Sequence, residues 1–237
     1  MNKILILLLI PVLLFGQLID EGFEGSGAPS GWTTAIGTPN YDYTTNALEQ
    51  TQSIFLDASG GTSSGAISAP FTATAETWHF FIVYWDINDG VGDNTCYYIR
   101  NADNTGELAR LILYRDGRLR LDVGTPAPLS SGSYADSTTY CIWIRYQAGT
   151  GANAEYDLYI AEYTTPPISR PVTPVITGTN GTQVGNCGRV MYYATTLGKS
   201  VFDAVKVSAT EIGNYTIPIT STEKTNKFTT FNGYSKW

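Results

Sequence analysis

Histidine occurs once in these 237 residues, methionine twice and cysteine three times. With His79 as the only imidazole and no CxxC pair anywhere, a zinc site built from Cys and His is excluded. His79 also has no nucleophile partner in its apolar surroundings, so it reads as a buried, hydrogen-bonded histidine and not as a triad base. Charged residues make up only 15% of the chain, and 14 basic against 21 acidic side chains leave a net charge of −7. That balance disfavours nucleic acid and anionic membranes as partners. Glu, Lys and Met are scarce beside Thr, Ser, Gly, Tyr and Asn, and no stretch keeps a 3.6-residue apolar period over three turns, which opposes helices. There is no internal repeat. Past the first sixteen residues no apolar run approaches the ~20 residues of a membrane-spanning helix.

What is present begins with an export signal. Lys3, an apolar run from Ile4 to Phe15 and a small Gly16 before Gln17 make residues 1–16 a signal peptide, with an uncleaved anchor as the alternative. The protein is therefore expected to be secreted, either extracellular, at the cell surface or periplasmic. Without Lys3, 13 basic and 21 acidic residues give −8. Cys96, Cys141 and Cys187 are an odd number for an oxidising compartment. Either one pair bridges, with Cys96–Cys141 allowed only if their strands are neighbours, or all three are small buried thiols. One β domain over 17–209 and a tail or extra strand over 210–237 account for the length.

Strands dominate. RLILYRDGRLRLDV, Arg110 to Val123, reads as a β-hairpin closed by a two-residue Asp116-Gly117 turn of type I′. That turn pairs Ile112 with Leu121 and Tyr114 with Leu119, so Ile112, Tyr114, Leu119, Leu121 and Val123 should face the core. Leu111 and Leu113 should then join Arg118, Arg120 and Asp122 on the other face. TWHFFIVYWDI, from Thr77 to Ile87, is apolar on both faces and marks an interior strand covered on two sides. TYCIWIRY and AEYDLYIAEY, around a GTGAN turn, alternate with Tyr140, Ile142, Ile144 and Tyr146, then Tyr156, Leu158 and Ile160, pointing inward. SVFDAVKVS, Ser200 to Ser208, is the last clear strand. Gly178 to Gly188 reads as a loop, and four prolines stiffen Thr164 to Pro174. The fold class is all-β, an antiparallel two-sheet β-sandwich.

Three sets of residues could carry chemistry. Sugars stack their C–H faces on aromatic rings beside planar polar groups, so Tyr84, Trp85, Tyr97, Tyr98, Trp143 and Arg145 are the candidate ligand-binding residues, although a sandwich needs large core side chains too. Asp86, Asn88, Asp89 and Asp93 in WDINDGVGDN offer hard oxygens suited to calcium, in a spacing that is not an EF-hand and is also ordinary turn chemistry. Glu155, Asp157 and Glu162 are the third set. Seven residues separate the first from the last, so on a regular strand Glu162 points to the opposite face.

FEGSGAPSGW (Phe23 to Trp32), LILYRDGRLRL, the Cys141 to Tyr163 hairpin and FDAVKVS (Phe202 to Ser208) together resemble the concanavalin A-like lectin/glucanase superfamily, laminin G-like domains above all. The resemblance spans most of Leu18 to Ser208. It implies a jelly roll whose concave face or rim loops hold carbohydrate, sometimes beside calcium. A glucanase of that superfamily would carry E-x-D-x-x-E on one strand, a pattern the Glu155 cluster misses. The expected function is a secreted, non-catalytic carbohydrate-binding or adhesion module with a glycan ligand. A divergent glycoside hydrolase or polysaccharide lyase and a structural cell-surface protein that binds another protein are the alternatives.

Overall fold

The computed structural model describes residues 17–216 except 46, 49–51, 59, 87–93, 115–116, 125–131, 136, 165 and 196–197. The signal peptide expected over 1–16 therefore lies outside the described residues. Fourteen strands and no helix are found among those described. In chain order they are β1 Gln17–Glu21, β2 Thr33–Ile36, β3 Asn40–Tyr43, β4 Ser53–Asp57, β5 Ser64–Ile67, β6 Glu76–Asp86 and β7 Asn94–Arg100. They continue with β8 Glu107–Leu113, β9 Leu119–Asp122, β10 Thr138–Gln147, β11 Ala154–Glu162, β12 Ile176–Gly181, β13 Arg189–Ala194 and β14 Lys199–Ser208. The larger sheet runs β12-β11-β10-β6-β14-β4-β3 with β1 also paired to β14, and the smaller runs β2-β5-β13-β7-β8-β9. All strand pairs are antiparallel. This is the two-sheet sandwich that the alternation of apolar and polar residues requires.

Two apolar layers result. The first fills the space between the sheets with Phe81, Val83, Tyr97, Ile99, Ile142, Ile144, Tyr192 and Phe202 among others, each 1% exposed or less. The second lies on the outer face of the larger sheet and includes Trp78, Phe80, Ile82, Cys141, Trp143 and Tyr159. Strand β6 contributes to both, as its doubly apolar sequence demands. The residue parities expected for β10 and β11 hold, with Tyr156, Leu158 and Ile160 inward and Tyr159 outward. Asp203 is buried at a bulge in β14, where Ser53 Oγ donates to its Oδ2 at 2.8 Å and the Ala204 N–H donates to its Oδ1 at 2.8 Å. That pair of bonds ties β4 to β14 and accounts for the polar residue inside FDAVKVS.

The hairpin differs from expectation by one residue. Leu111 pairs with Leu121 and Leu113 with Leu119, and the Tyr114 N–H donates to the Arg118 carbonyl at 2.8 Å. Tyr114 and Arg118 thus close the ladder, and Gly117 sits at φ 80° in the left-handed position that such turns need. A slip of one residue moves a strand's whole side-chain set to the other face. Leu111 and Leu113 are buried between the sheets with Leu119, Leu121 and Val123, while Ile112 and Tyr114 share the outer face with Arg110, Arg118, Arg120 and Asp122. Burying Leu111 and Leu113 together with Leu119 and Leu121, and keeping Arg110 out of the core, decides the register. A Cβ added at Gly117 would lie 2.3 Å from the Tyr134 carbonyl oxygen. Gly117→Ala is therefore expected to cost about 2 kcal/mol or more in urea unfolding, through the left-handed backbone and the clash together.

Other boundaries move as well. The stretch read as a loop from Gly178 contains most of β12, which pairs with β11. Cys96 lies in β7 of the smaller sheet and Cys141 in β10 of the larger, so the bridge that required neighbouring strands is not formed; Cys141 and Cys187 are buried thiols. Burial pushes the Cys187 thiol up to about 12, which keeps it protonated and unreactive. His79 is fully buried, with Nδ1 2.8 Å from the Tyr97 hydroxyl and Nε2 2.9 Å from Thr77 Oγ1, a link between the two sheets.

Candidate functional site

The sandwich has two outer faces, and their sequences treat them differently. On the larger sheet a strap crosses the strands. Ile168 and Tyr215 exchange backbone hydrogen bonds of 2.9 and 2.8 Å, Tyr215 stacks on Phe80 with centroids 4.5 Å apart, and Trp143 Nε1–H donates to the Gly213 carbonyl at 3.1 Å. The Arg170 guanidinium lies 4.9 Å from the Trp78 ring and 4.3 Å from the Tyr159 ring and is ion-paired with Glu211. Glu211, Gly213 and Tyr215 of this strap belong to the stretch after residue 209 expected as a tail or extra strand. Trp143 is 0% exposed and Tyr84 7%, so neither ring is presented to a ligand.

Beyond the strap on the same face sits Arg145. Its Nε donates to Glu76 Oε1 at 2.9 Å, Nη1 to Asp157 Oδ2 at 3.4 Å, and Nη2 to Glu155 Oε2 at 3.1 Å and to Gln147. Asp157 is further held by Thr177 Oγ1–H at 2.6 Å. Burial works against the Arg145 charge, but the bonds from Glu76 and Glu155 outweigh it and hold the guanidinium above its ordinary range. Every nitrogen of Arg145 is thereby used within the fold. Glu155 and Asp157 are brought together there, whereas Glu162 is exposed opposite Tyr140 on the other side of the strand.

The outer face of the smaller sheet is different. Across one row, Ile67, Met191, Tyr98, Arg110 and Asp122 are direct neighbours, and Arg189, Arg100 and Glu107 form the next row. Tyr98 and Tyr193 meet edge to face at 5.9 Å and 88°. Both rings are half-buried, as are Arg110, Arg120 and Met191. Gly65 makes room for Tyr193, because a Cβ there would come within 3.0 Å of its ring. Asp122 is the hub of the charged part: Arg110 Nη2 lies 3.1 Å from its Oδ2 and Arg120 Nε 2.8 Å from its Oδ1, while Arg120 also covers the Tyr114 ring at 5.2 Å. Glu107 approaches Arg110 Nε at 3.6 Å. Desolvation opposes the Arg110 charge, but the Asp122 bond and the Glu107 carboxylate more than compensate and raise its pKa.

The sequence candidates therefore scatter. Tyr84, Trp143 and Arg145 belong to the outer face of the larger sheet, two under cover and one caged, and Tyr97 is buried between the sheets at 0% exposure. Among the described side chains of the six, Tyr98 is the one found half-exposed on the outer face of the smaller sheet, against Tyr193. Trp85 and Asp86 lie at the end of β6 with side chains outside the described residues, as are Asn88, Asp89 and Asp93. Among the described residues no group of three or more His, Cys, Asp or Glu side chains is arranged to hold a metal ion. Arg118, Arg120 and Asp122 were expected on an outer face, whereas Arg110, Tyr114, Met191 and Tyr193 were not singled out for it by sequence; the signal lay in Arg110, whose charge has no place on the core face that a two-residue turn would give it.

No family model matches the sequence, and no curated protein matches it either. Solved structures do resemble the fold. An endo-beta-1,4-glucuronan lyase from the fungus Trichoderma reesei aligns over 81% of this chain and 94% of its own, at 7% identity and a TM-score of 0.54. The metal-free carbohydrate recognition domain of Emp46p aligns over 83% and 97%, at 8% identity and 0.53. The cellulose induced protein Cip1 aligns over 82% and 99%, at 15% identity and 0.52. At such identities the shared property is the fold, a lectin-like jelly-roll sandwich consistent with the concanavalin A-like architecture.

Proposed function

We propose that the protein is an exported, non-catalytic carbohydrate-binding module whose ligand lies on the outer face of the smaller sheet. The observation that carries this reading is the contrast between the two faces. The aromatics of the larger sheet are sealed by the strap, whereas Tyr98 and Tyr193 form a half-exposed edge-to-face pair beside planar guanidinium groups. Ring faces for sugar C–H groups next to planar donors are the ingredients of saccharide recognition. The carbohydrate recognition domain and the glucuronan lyase among the structural neighbours agree with a sugar ligand for this sandwich.

Affinity electrophoresis in gels containing individual polysaccharides tests this reading. Tyr98→Ala is expected to weaken retardation by the bound polysaccharide about 10-fold, the loss of one stacking ring, while Arg145→Gln leaves it unchanged. No retardation by any glycan, or equal loss in both variants, counts against the reading. Release of new chain ends from the bound polymer would favour a lyase or hydrolase instead.

A further inference from the structure

The chain carries eight arginines, at 100, 110, 115, 118, 120, 145, 170 and 189, and a net charge of −7. Five of the eight, Arg100, Arg110, Arg118, Arg120 and Arg189, are placed by the strand register on the one outer face that holds Tyr98 and Tyr193. Glu107 and Asp122 are the carboxylates that the same register puts among them, and Asp103 of the β7–β8 loop lies close to Arg189, so among the described residues five guanidinium groups meet three carboxylates. Most of the arginines of an acidic protein thus lie on a single sheet face.

Backbone carbonyls hold Arg100 and Arg189, with the Asp103 carboxylate close to Arg189. Arg100 Nη2 donates to the Asn104 carbonyl at 3.0 Å, and Arg189 donates to the carbonyls of Ala102 at 2.7 Å and Ser68 at 3.2 Å. Carbonyls orient a guanidinium without cancelling its charge. Arg110 and Arg120 share one carboxylate, Asp122, with Glu107 beside Arg110. Among the described residues, Nε of Arg110 and of Arg120 face the carboxylates of Glu107 at 3.6 Å and Asp122 at 2.8 Å, while Nε of Arg100 is buried with no hydrogen-bond acceptor. Donors left in that condition are costly unless something supplies an acceptor. By contrast, Arg145 on the other sheet is fully answered by three carboxylates.

We infer that the carbohydrate taken by this face is an acidic polysaccharide whose sugar rings bear carboxylates, the uronic acids. The inference rests on the glycan reading above and specifies its ligand. A guanidinium fork matches a carboxylate in plane with two parallel hydrogen bonds. The face already shows the arrangement on a small scale, with the Asp122 carboxylate held between Arg110 and Arg120. Along a strand, outward residues recur about 6.6 Å apart, and strands lie about 4.8 Å apart. The arginines therefore form an extended field, suited to successive charged units of a polymer more than to one small anion. Tyr98 and Tyr193, at its edge, supply the apolar contact that distinguishes a sugar ring from a simple ion.

The test uses the full chain with polygalacturonate, polymannuronate and polyglucuronate, each beside its carboxyl-reduced neutral form, and with dextran sulfate as a non-carboxylate polyanion. At least one polyuronate is expected to bind about 10-fold or more tightly than its reduced form, with affinity falling as salt rises. The preference should vanish in an Arg118→Gln, Arg120→Gln double variant whose unfolding midpoint is checked first. Arg145→Gln should retain it. Equal binding of native and reduced polymers overturns the inference while leaving the glycan reading standing. Equal binding of dextran sulfate overturns the carboxylate assignment. Binding of no polysaccharide, charged or neutral, overturns both.

Discussion

Lowering the pH from 7 to 4 is expected to destabilise the fold by about 3 kcal/mol through His79 alone. Complete burial, with only the Tyr97 and Thr77 hydroxyls as partners, lowers its pKa to about 3 from the ordinary 6.5. A histidine with a depressed folded-state pKa contributes its full stability above pH 6.5, where both states are neutral. Below that the unfolded chain takes up a proton that the folded core refuses, at about 1.36 kcal/mol per pH unit, until the loss levels off near pH 3. Carboxylates add their own slope, so the informative quantity is a difference. In urea titrations, wild type should lose about 3 kcal/mol of its advantage over His79→Gln between pH 7 and 4. A difference that stays flat over that range would mean that the imidazole can be protonated inside the folded protein.

Tyr215→Ala is expected to cost about 3–5 kcal/mol, the range for deleting a large buried aromatic. Tyr215 is 2% exposed, stacks on Phe80, lies under Lys206 Nζ at 5.4 Å and exchanges both backbone bonds with Ile168. Removing the ring takes away the contact that seats one arm of the strap. Phe80 and Trp143, both fully buried, would then be uncovered. The loss should therefore appear as a red-shifted tryptophan emission and faster proteolysis within residues 209–216, as well as in the unfolding midpoint. A change under about 1 kcal/mol with unaltered emission would show that the strap is dispensable.

Sequence alternation was enough to find the sandwich because a strand has one side-chain period and this chain obeys it. The doubly apolar β6, the inward set of β10 and β11, and the buried His79 all followed from reading that period. The faces of β8 did not. Asp-Gly suggested the commonest two-residue turn, and the three-residue alternative differs by one position while reversing every side chain on one strand. Leu111 and Leu113 against Ile112 and Tyr114 gave no apolar contrast, so Arg110 was the residue that could have decided the matter. That single slip also hid the site, since it is what brings Arg110 and Tyr114 beside Arg118, Arg120 and Asp122. The strap was hidden for another reason. Gly213 and Tyr215 lie in a Thr- and Asn-rich stretch without periodicity, and only tertiary packing shows that it covers Trp143 and Phe80.

The placement of the ligand on the smaller sheet is tested most directly by covalent footprinting of tyrosines and arginines with and without saturating polysaccharide, read by mass spectrometry. Protection is expected at Tyr98, Tyr193, Arg118 and Arg120, with Tyr159, Arg145 and Arg170 reacting as before. Protection confined to Tyr159, Arg145 and Arg170 would put the ligand on the opposite sheet and contradict the assignment.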